Sequence, residues 1–217
     1  MMNLRNLQVK VTFVSNYINH HQLPFCKAML EQHTGEFVFI QTEPMEEERV
    51  KQGWAADFSG LPFLLRYDTE PEVCREWIAE SDVVIFGGCE DESFIAGRLQ
   101  QGKIVLRYTE RIYREGQWKA ISPRGLWKKY HDHTRYRNAP VYLLCAGGYV
   151  ADDFSIIHAY KGKRFKFGYF TEFEVITPEE MDSYKTGDVP RIIWAGRFMP
   201  LKHSMDVLEA LRRLKEE

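Results

Sequence analysis

The sequence contains no apolar run long enough to cross a lipid bilayer. Its longest apolar runs, such as residues 83–86 and 141–146, have the length of β-strands, whereas a membrane-spanning helix needs about 20 apolar residues. Residues 1–10 also lack the apolar core and small-residue cleavage site of a secretory signal. Because 44% of the residues are hydrophobic and 28% are charged, the composition indicates a folded globular protein, which we expect to be cytoplasmic.

Cysteine is scarce and scattered. The chain has four cysteines, Cys26, Cys74, Cys89 and Cys145. None of them belongs to a Cys-x-x-Cys pair, so the common zinc and redox motifs are excluded. Two of them lie inside apolar segments, where a free thiol behaves as a small hydrophobic group. We expect all four to be reduced and structural.

The first 170 residues alternate short apolar runs with helical patterns. Predicted strands cover residues 9–15, 37–41, 63–66, 83–86, 104–108 and 141–146. Predicted helices cover residues 23–33 and 94–99, and a further helix opens at Pro71. This alternation predicts an α/β domain, a Rossmann-like doubly wound parallel sheet covered by helices on both faces.

The sequence from residue 171 onward has a different character. Residues 171–190 are polar and acidic and predict a linker with one weak strand. Residues 191–195 (RIIWA) predict a strand, and residues 204–215 predict a helix with Ser204 as its N-cap. One strand and one helix cannot bury a core, so we expect residues 191–217 to be the start of a second Rossmann-like domain that is truncated here.

The most specific motif lies between this strand and this helix, at Gly196, Arg197 and Lys202. Gly196 allows a sharp turn off the strand, and the two cations then lie at the carboxyl edge of a sheet beside a helix N-terminus. Arginine contacts phosphate with two parallel hydrogen bonds, and lysine adds a mobile positive charge. The motif therefore predicts a diphosphate-binding loop, although Gly-Arg-x-x-x-x-Lys also occurs by chance.

With its context, IIWAGRFMPLKHSMDVLEALRRL resembles the opening of the donor-binding domain of the GT-B retaining glycosyltransferases of family four. VSNYINHHQLPFCKAML, the Gly87-Gly88 pair and AGGYVADDF resemble segments of the first domain in members that build bacterial surface polysaccharides. The resemblance covers nearly all of this chain and about half of a family member. It divides the chain into an acceptor-binding domain (residues 1–170), a linker (171–190) and the first strand and helix of a donor domain (191–217).

The resemblance implies a function. The parent enzyme would transfer a hexose from a nucleotide diphosphate sugar to a lipid-linked or polysaccharide acceptor, and Arg197 and Lys202 would stabilise the departing diphosphate. No cofactor is implied, and the absence of any Asp-x-Asp agrees with a metal-independent mechanism. Two features depart from the family: His203 replaces the usual glycine, and the downstream Glu-x7-Glu segment is missing. We therefore expect these 217 residues alone to be inactive.

Acceptor-binding residues are predicted at the end of two strands. The loop after the first strand contains Asn16, Asn19, His20 and His21, which the resemblance places in the cleft that positions the acceptor. The alternative is a polar turn with a capping role. Glu110 follows the strand at 104–108 at the same edge and either contacts the acceptor or forms a surface ion pair. The His-His pair has no further ligands at suitable spacing, so no metal site is predicted.

Charge is distributed unevenly, although the net charge is only −2. Residues 31–100 contain 16 acidic and 5 basic side chains, whereas residues 101–169 contain 5 acidic and 14 basic ones. Six cations and four aromatic residues lie between residues 118 and 137: Lys119, Arg124, Lys128, Lys129, Arg135 and Arg137, with Trp118, Trp127, Tyr130 and Tyr136. This segment predicts peripheral binding to an anionic membrane at its inner face. One alternative is that these aromatic side chains pack on the sheet. A less favoured alternative is that the segment binds nucleic acid, since no nucleic-acid motif accompanies the charge.

The tripeptide His131-Asp132-His133 falls within a helical pattern and predicts solvated surface. A non-enzymatic Rossmann-like domain that binds a small anionic ligand is the alternative to the transferase. A nicotinamide dehydrogenase is disfavoured, because no Gly-x-Gly-x-x-Gly follows the first strand. The apolar side chains of residues 191–215 also predict that this segment packs against the first domain or, more favourably, against a second copy of the chain in a homodimer.

Overall fold

The computed structural model describes residues 8–54, 58, 60–114, 116–185, 192–196, 198 and 202–216. The chain divides into two compact units, Met1–Glu172 and Phe173–Glu217. The described residues of the first unit form seven strands: β1 Val11–Ser15, β2 Phe37–Gln41, β3 Leu64–Arg66, β4 Val83–Phe86, β5 Ile104–Thr109, β6 Val141–Ala146 and β7 Arg164–Phe167. Its helices are α1 Leu23–Gln32, α2 Pro71–Glu80, α3 Ser93–Gln100, α4 Pro123–Asp132 and α5 Val150–Ile156. Short helical turns occur at Glu47–Arg49, Val50–Trp54, Gln117–Ala120 and Thr134–Tyr136.

All seven strands form one parallel sheet in the order β3-β2-β1-β4-β5-β6-β7. From β1 the chain adds β2 and β3 on one side, and from β4 it adds β5, β6 and β7 on the other side. The direction in which successive strands are added therefore reverses between the neighbours β1 and β4. The register places Phe13 of β1 opposite Phe39 of β2 and Ile85 of β4. This arrangement confirms the predicted α/β, Rossmann-like fold.

Two apolar clusters cover the two faces of the sheet. Alternate residues of each strand point to opposite faces, so Val14 belongs to one cluster and Phe13 to the other. Both faces are buried, which explains why the strands read as continuous apolar runs. Arg98 of α3, which is 2% exposed, donates to the carbonyl oxygens of Ile78 (2.8 Å) and Ile104 (2.9 Å), and so fastens the end of α2 to the start of β5.

Four segments differ from the sequence predictions. Strand β7 and helix α5 were not predicted. The stretch expected to be a linker contains a helix, α6 Pro178–Ser183, which Thr177 and Glu180 close with a reciprocal capping box. Residues 192–195, the described part of the strand predicted at residues 191–195, have no regular secondary structure. No described strand lies beside them in the sheet to satisfy their backbone groups. The helix predicted after it is confirmed as α7, Ser204–Glu216.

All four cysteines are buried free thiols, as predicted. Burial raises the pKa of Cys74 to about 11 and raises the pKa of Cys26 as well, so these thiols stay protonated near neutral pH.

Candidate functional site

The candidate site lies at the carboxyl edge of the sheet. Parallel strands all end at this edge, and ligands of open α/β sheets bind where the winding reverses, here between β1 and β4. Gly87 and Gly88 follow β4. A Cβ on Gly87 would overlap the carbonyl oxygen of Tyr108, and Gly88 has a φ of +77°, a conformation that glycine adopts readily. The backbone after β4 therefore approaches its neighbours more closely than any side chain would permit.

The loop after β1 is held by its own asparagines. Asn19 is 9% exposed; its Oδ1 accepts a hydrogen bond from the backbone N–H of His21 (2.9 Å), and its carbonyl oxygen accepts from the N–H of Leu23 (3.0 Å). The side chain of Asn16 contacts the hydroxyl of Ser15 (3.2 Å), and its carbonyl oxygen accepts from the N–H of Glu43 (2.9 Å). These are the contacts of a polar turn that starts α1.

The fold brings His20, His21 and Glu110 together with two aromatic residues that the sequence analysis did not single out, Trp54 and Tyr169. We call these five residues the edge cluster. The ring centroids of His20 and Trp54 are 4.7 Å apart, and those of His21 and Tyr169 are also 4.7 Å apart. The hydroxyl of Tyr169 donates to the carboxylate of Glu110. The segment after β7 thus connects the loop after β1 to the end of β5.

The surroundings of His21 favour the neutral form of its imidazole. Burial lowers the pKa of His21, and the neighbouring His20 lowers it further, while Glu110 acts in the opposite direction. A neutral imidazole offers one donor and one acceptor. Nδ1 of His21 is buried and has no hydrogen-bond partner among the described residues. The carboxylate of Glu110 also accepts a hydrogen bond from the guanidinium of Arg114 (3.2 Å). This contact is the surface ion pair expected for Glu110 as the alternative to binding the acceptor.

A cavity of about 360 Å³ opens at the same edge, at the carboxyl ends of β4 and β5. Asp132 and His133 line this cavity, so the prediction that they are solvated surface is wrong; His131 is exposed as predicted. The fold turns the end of α4 toward the sheet, and Nδ1 of His133 lies 2.8 Å from the hydroxyl of Tyr160. Burial, with a smaller contribution from the charge of Arg107, lowers the pKa of His133 to about 3.

The aromatic residues of the basic segment point mainly into solvent. Trp118 is 65% exposed and Trp127 is 68% exposed, and Tyr130 and Ile121 are exposed as well. The alternative in which these aromatic side chains pack on the sheet is therefore wrong for Trp118, Trp127 and Tyr130; only Tyr136 packs against the core.

The predicted diphosphate-binding residues belong to the second unit. Gly196 and Lys202 are exposed, and Arg197 lies outside the described residues. Nε1 of Trp194 donates to the carbonyl oxygen of Lys202 (3.1 Å), which holds the two ends of this loop together. Helix α7 begins at Ser204 itself, so Ser204 is not its N-cap. The preceding His203 has a φ of +53°, the left-handed conformation that the family's glycine would adopt without strain.

Comparison with known proteins identifies no relative: no family model, no curated protein and no solved structure matches this chain. In the part of the chain that the structure describes, no group of three or more His, Cys, Asp or Glu side chains can hold a metal ion. None of the described helices is long and apolar enough to cross a membrane.

Proposed function

We propose that the first unit binds a glycan acceptor at the edge cluster, on behalf of a glycosyltransferase that takes a hexose from a nucleotide diphosphate sugar. The observation that carries this proposal is the convergence of His20, His21 and Glu110 with Trp54 and Tyr169 beside the point where the sheet reverses its winding. Ligands of this fold class bind at that point.

The chemistry of the edge cluster suits a sugar. Every sugar hydroxyl is both a donor and an acceptor, and the neutral imidazole of His21 offers both roles. The carboxylate of Glu110 accepts strong hydrogen bonds. The faces of Trp54 and Tyr169 are large, rigid apolar surfaces with a polar edge, which suits a ligand with apolar C–H faces and polar hydroxyls. The cluster thus offers both the polar and the apolar contacts that recognise a sugar.

For the donor, the proposal relies on the resemblance of the Gly196–Lys202 loop. Arg197 and Lys202 would bind the pyrophosphate and stabilise its charge as it departs, without a metal ion. Lys202 lies just before the N-terminus of α7, where backbone N–H groups and the helix dipole also favour an anion.

For the location, we propose that the segment around α4 docks on an anionic membrane surface, which would give access to a lipid-linked acceptor. Its exposed Trp127 and Tyr130 lie among Arg124 and Lys128. Interfacial aromatic residues next to cations are the pattern of peripheral binding, and each cation near an anionic bilayer contributes about 1 kcal/mol.

The proposal is tested by isothermal titration of the full chain with hexoses and short oligosaccharides. His20→Ala and Glu110→Gln are each expected to weaken binding about ten-fold, the loss of one hydrogen bond to a polar or charged group. His158→Ala, a change of an exposed histidine elsewhere in the first unit, serves as the matched control. Binding of inorganic phosphate or UDP that His20→Ala and Glu110→Gln leave unchanged, without any binding of sugar, would favour the non-enzymatic anion-binding alternative instead.

A further inference from the structure

The cavity at the ends of β4 and β5 has the size of a small-molecule site. Its volume of about 360 Å³ lies at the lower end of the range of about 300–1,000 Å³ typical of such sites, which suits one ring better than a nucleotide. Backbone of Gly87 and Gly88 forms one wall, the apolar side chains of Phe86 and Ile112 contribute another, and α4 contributes Asp132.

Four of the charged groups that line the cavity form two ion pairs. Arg107, which is 4% exposed, donates from Nη1 and Nη2 to the two carboxylate oxygens of Glu92, both at 2.6 Å. Lys128 pairs with Asp132 at 2.8 Å. To bind at either pair, an anion would have to displace Glu92 or Asp132 from its partner, and a cation would have to displace Arg107 or Lys128. Glu90 and Lys129 also line the cavity, and Nζ of Lys129 lies 5.4 Å from the ring centroid of Tyr113. The lining thus combines the carboxylates of Glu90, Glu92 and Asp132 with the cations Arg107, Lys128 and Lys129, so neither sign of charge is in excess.

The remaining polar groups of the cavity are uncharged hydrogen-bonding groups. His133 is neutral at physiological pH because burial holds its pKa near 3. The hydroxyl of Thr109 donates to the carbonyl oxygen of Glu110 (3.2 Å) and keeps its acceptor capacity. Carboxylates engaged in ion pairs also retain free lone pairs. Such a lining recognises a neutral ligand that both donates and accepts.

From the size, the paired charges and the mixture of polar and apolar walls, we infer that this cavity binds a single neutral polyhydroxylated ring, a monosaccharide or a cyclitol. The site is separate from the edge cluster in its residues, and it requires no glycosyl transfer. The two sites adjoin at the end of β5, where Thr109 lines the cavity and Glu110 belongs to the edge cluster.

The experiment is an NMR titration of the isotopically labelled full chain with glucose, galactose, mannose, N-acetylglucosamine and myo-inositol, and separately with inorganic phosphate. At least one neutral ring should bind saturably and shift the amide signals of Gly87, Gly88 and Thr109. Asp132→Asn removes one carboxylate charge and leaves Lys128 unpaired. It should weaken the neutral ligand about ten-fold or more and create phosphate binding that the wild type lacks.

Two further variants keep the outcome decisive. Glu90→Gln changes an exposed carboxylate at the cavity and does not endanger folding; it should raise phosphate affinity in the same direction. Glu76→Gln changes an exposed carboxylate on α2 and should alter neither ligand. The inference is overturned if phosphate binds the wild-type cavity more tightly than every neutral ring. It is equally overturned if no neutral ring shifts these three amide signals.

Discussion

Removing the carboxylate of Glu92 should strongly destabilise the first unit. Glu92 neutralises the buried guanidinium of Arg107 with two hydrogen bonds of 2.6 Å, and these raise the pKa of Arg107 even though burial opposes its charge. Breaking a buried ion pair from one side costs about 3–5 kcal/mol, because the remaining charge stays buried. Since the side chain of Glu92 is 34% exposed and water can enter from the cavity, the lower end applies. We expect Glu92→Ala to lower the free energy of unfolding by about 3 kcal/mol.

Urea unfolding followed by circular dichroism measures this change. The double variant Arg107→Met with Glu92→Leu removes both charges and should recover to within about 1 kcal/mol of the wild type, since a buried pair is often replaceable by apolar groups. Glu72→Ala, which breaks the exposed pair with Arg75, is the matched control and should have no measurable effect. A loss below about 1 kcal/mol for Glu92→Ala, or a double variant no better than the single one, would refute this account of the buried pair.

Three other predictions follow from the described residues. The pKa of His133 is depressed to about 3 in the folded state, so the folded protein resists protonation of this residue. The free energy of unfolding should therefore be highest above the unfolded pKa of about 6.5 and should fall as the pH falls toward 3, by up to about 1.4 kcal/mol per pH unit. Urea unfolding of His133→Gln between pH 7 and 4 should show a shallower dependence of this free energy on pH than the wild type, and an equal slope would contradict the assignment. The full chain should co-sediment with anionic vesicles and lose this binding near ~0.5 M salt. The double variant Trp127→Ala with Arg124→Ala should bind these vesicles less than the wild type. Equal binding of the wild type to neutral vesicles would exclude the electrostatic mechanism. Ile193 is 89% exposed and Leu208 is exposed on α7, so the chain should self-associate through the second unit. Light scattering should detect a dimer that Leu208→Glu dissociates. A strict monomer at high protein concentration would rule out this association.

The parts of the fold that were predictable from sequence are those where burial alone determines the pattern. Strands β1 and β6 are covered on both faces, so VTFVS and VYLLCA read as apolar runs. Strand β7 pairs with β6 alone, and its Arg164 and Lys166 interrupt the run, so this edge strand was missed. Helix α6 was missed because its acidic composition suggested a linker, although the Thr177–Glu180 capping box was visible in the sequence.

The candidate site was predictable only in part. The positions of His20, His21 and Glu110 after parallel strands placed them at one edge, because such strands end together. Trp54 and Tyr169 join them through the path of two loops, which no local pattern encodes. The burial of Arg107 in an ion pair was predictable from sequence, since a charged residue inside the apolar run of β5 needs a buried partner. Its partner Glu92 is far enough away in sequence that only the fold identifies it.

Glycan recognition at the edge cluster is tested most directly by following its own aromatic rings. In a titration of the labelled full chain with oligosaccharides, the ring signals of His20, His21, Trp54 and Tyr169 should shift together along one saturable curve. Glu110→Gln should displace that curve to about ten-fold higher ligand concentration. Ring signals that stay in place while sugar binds elsewhere, or no shift with any glycan, would contradict the proposed acceptor site.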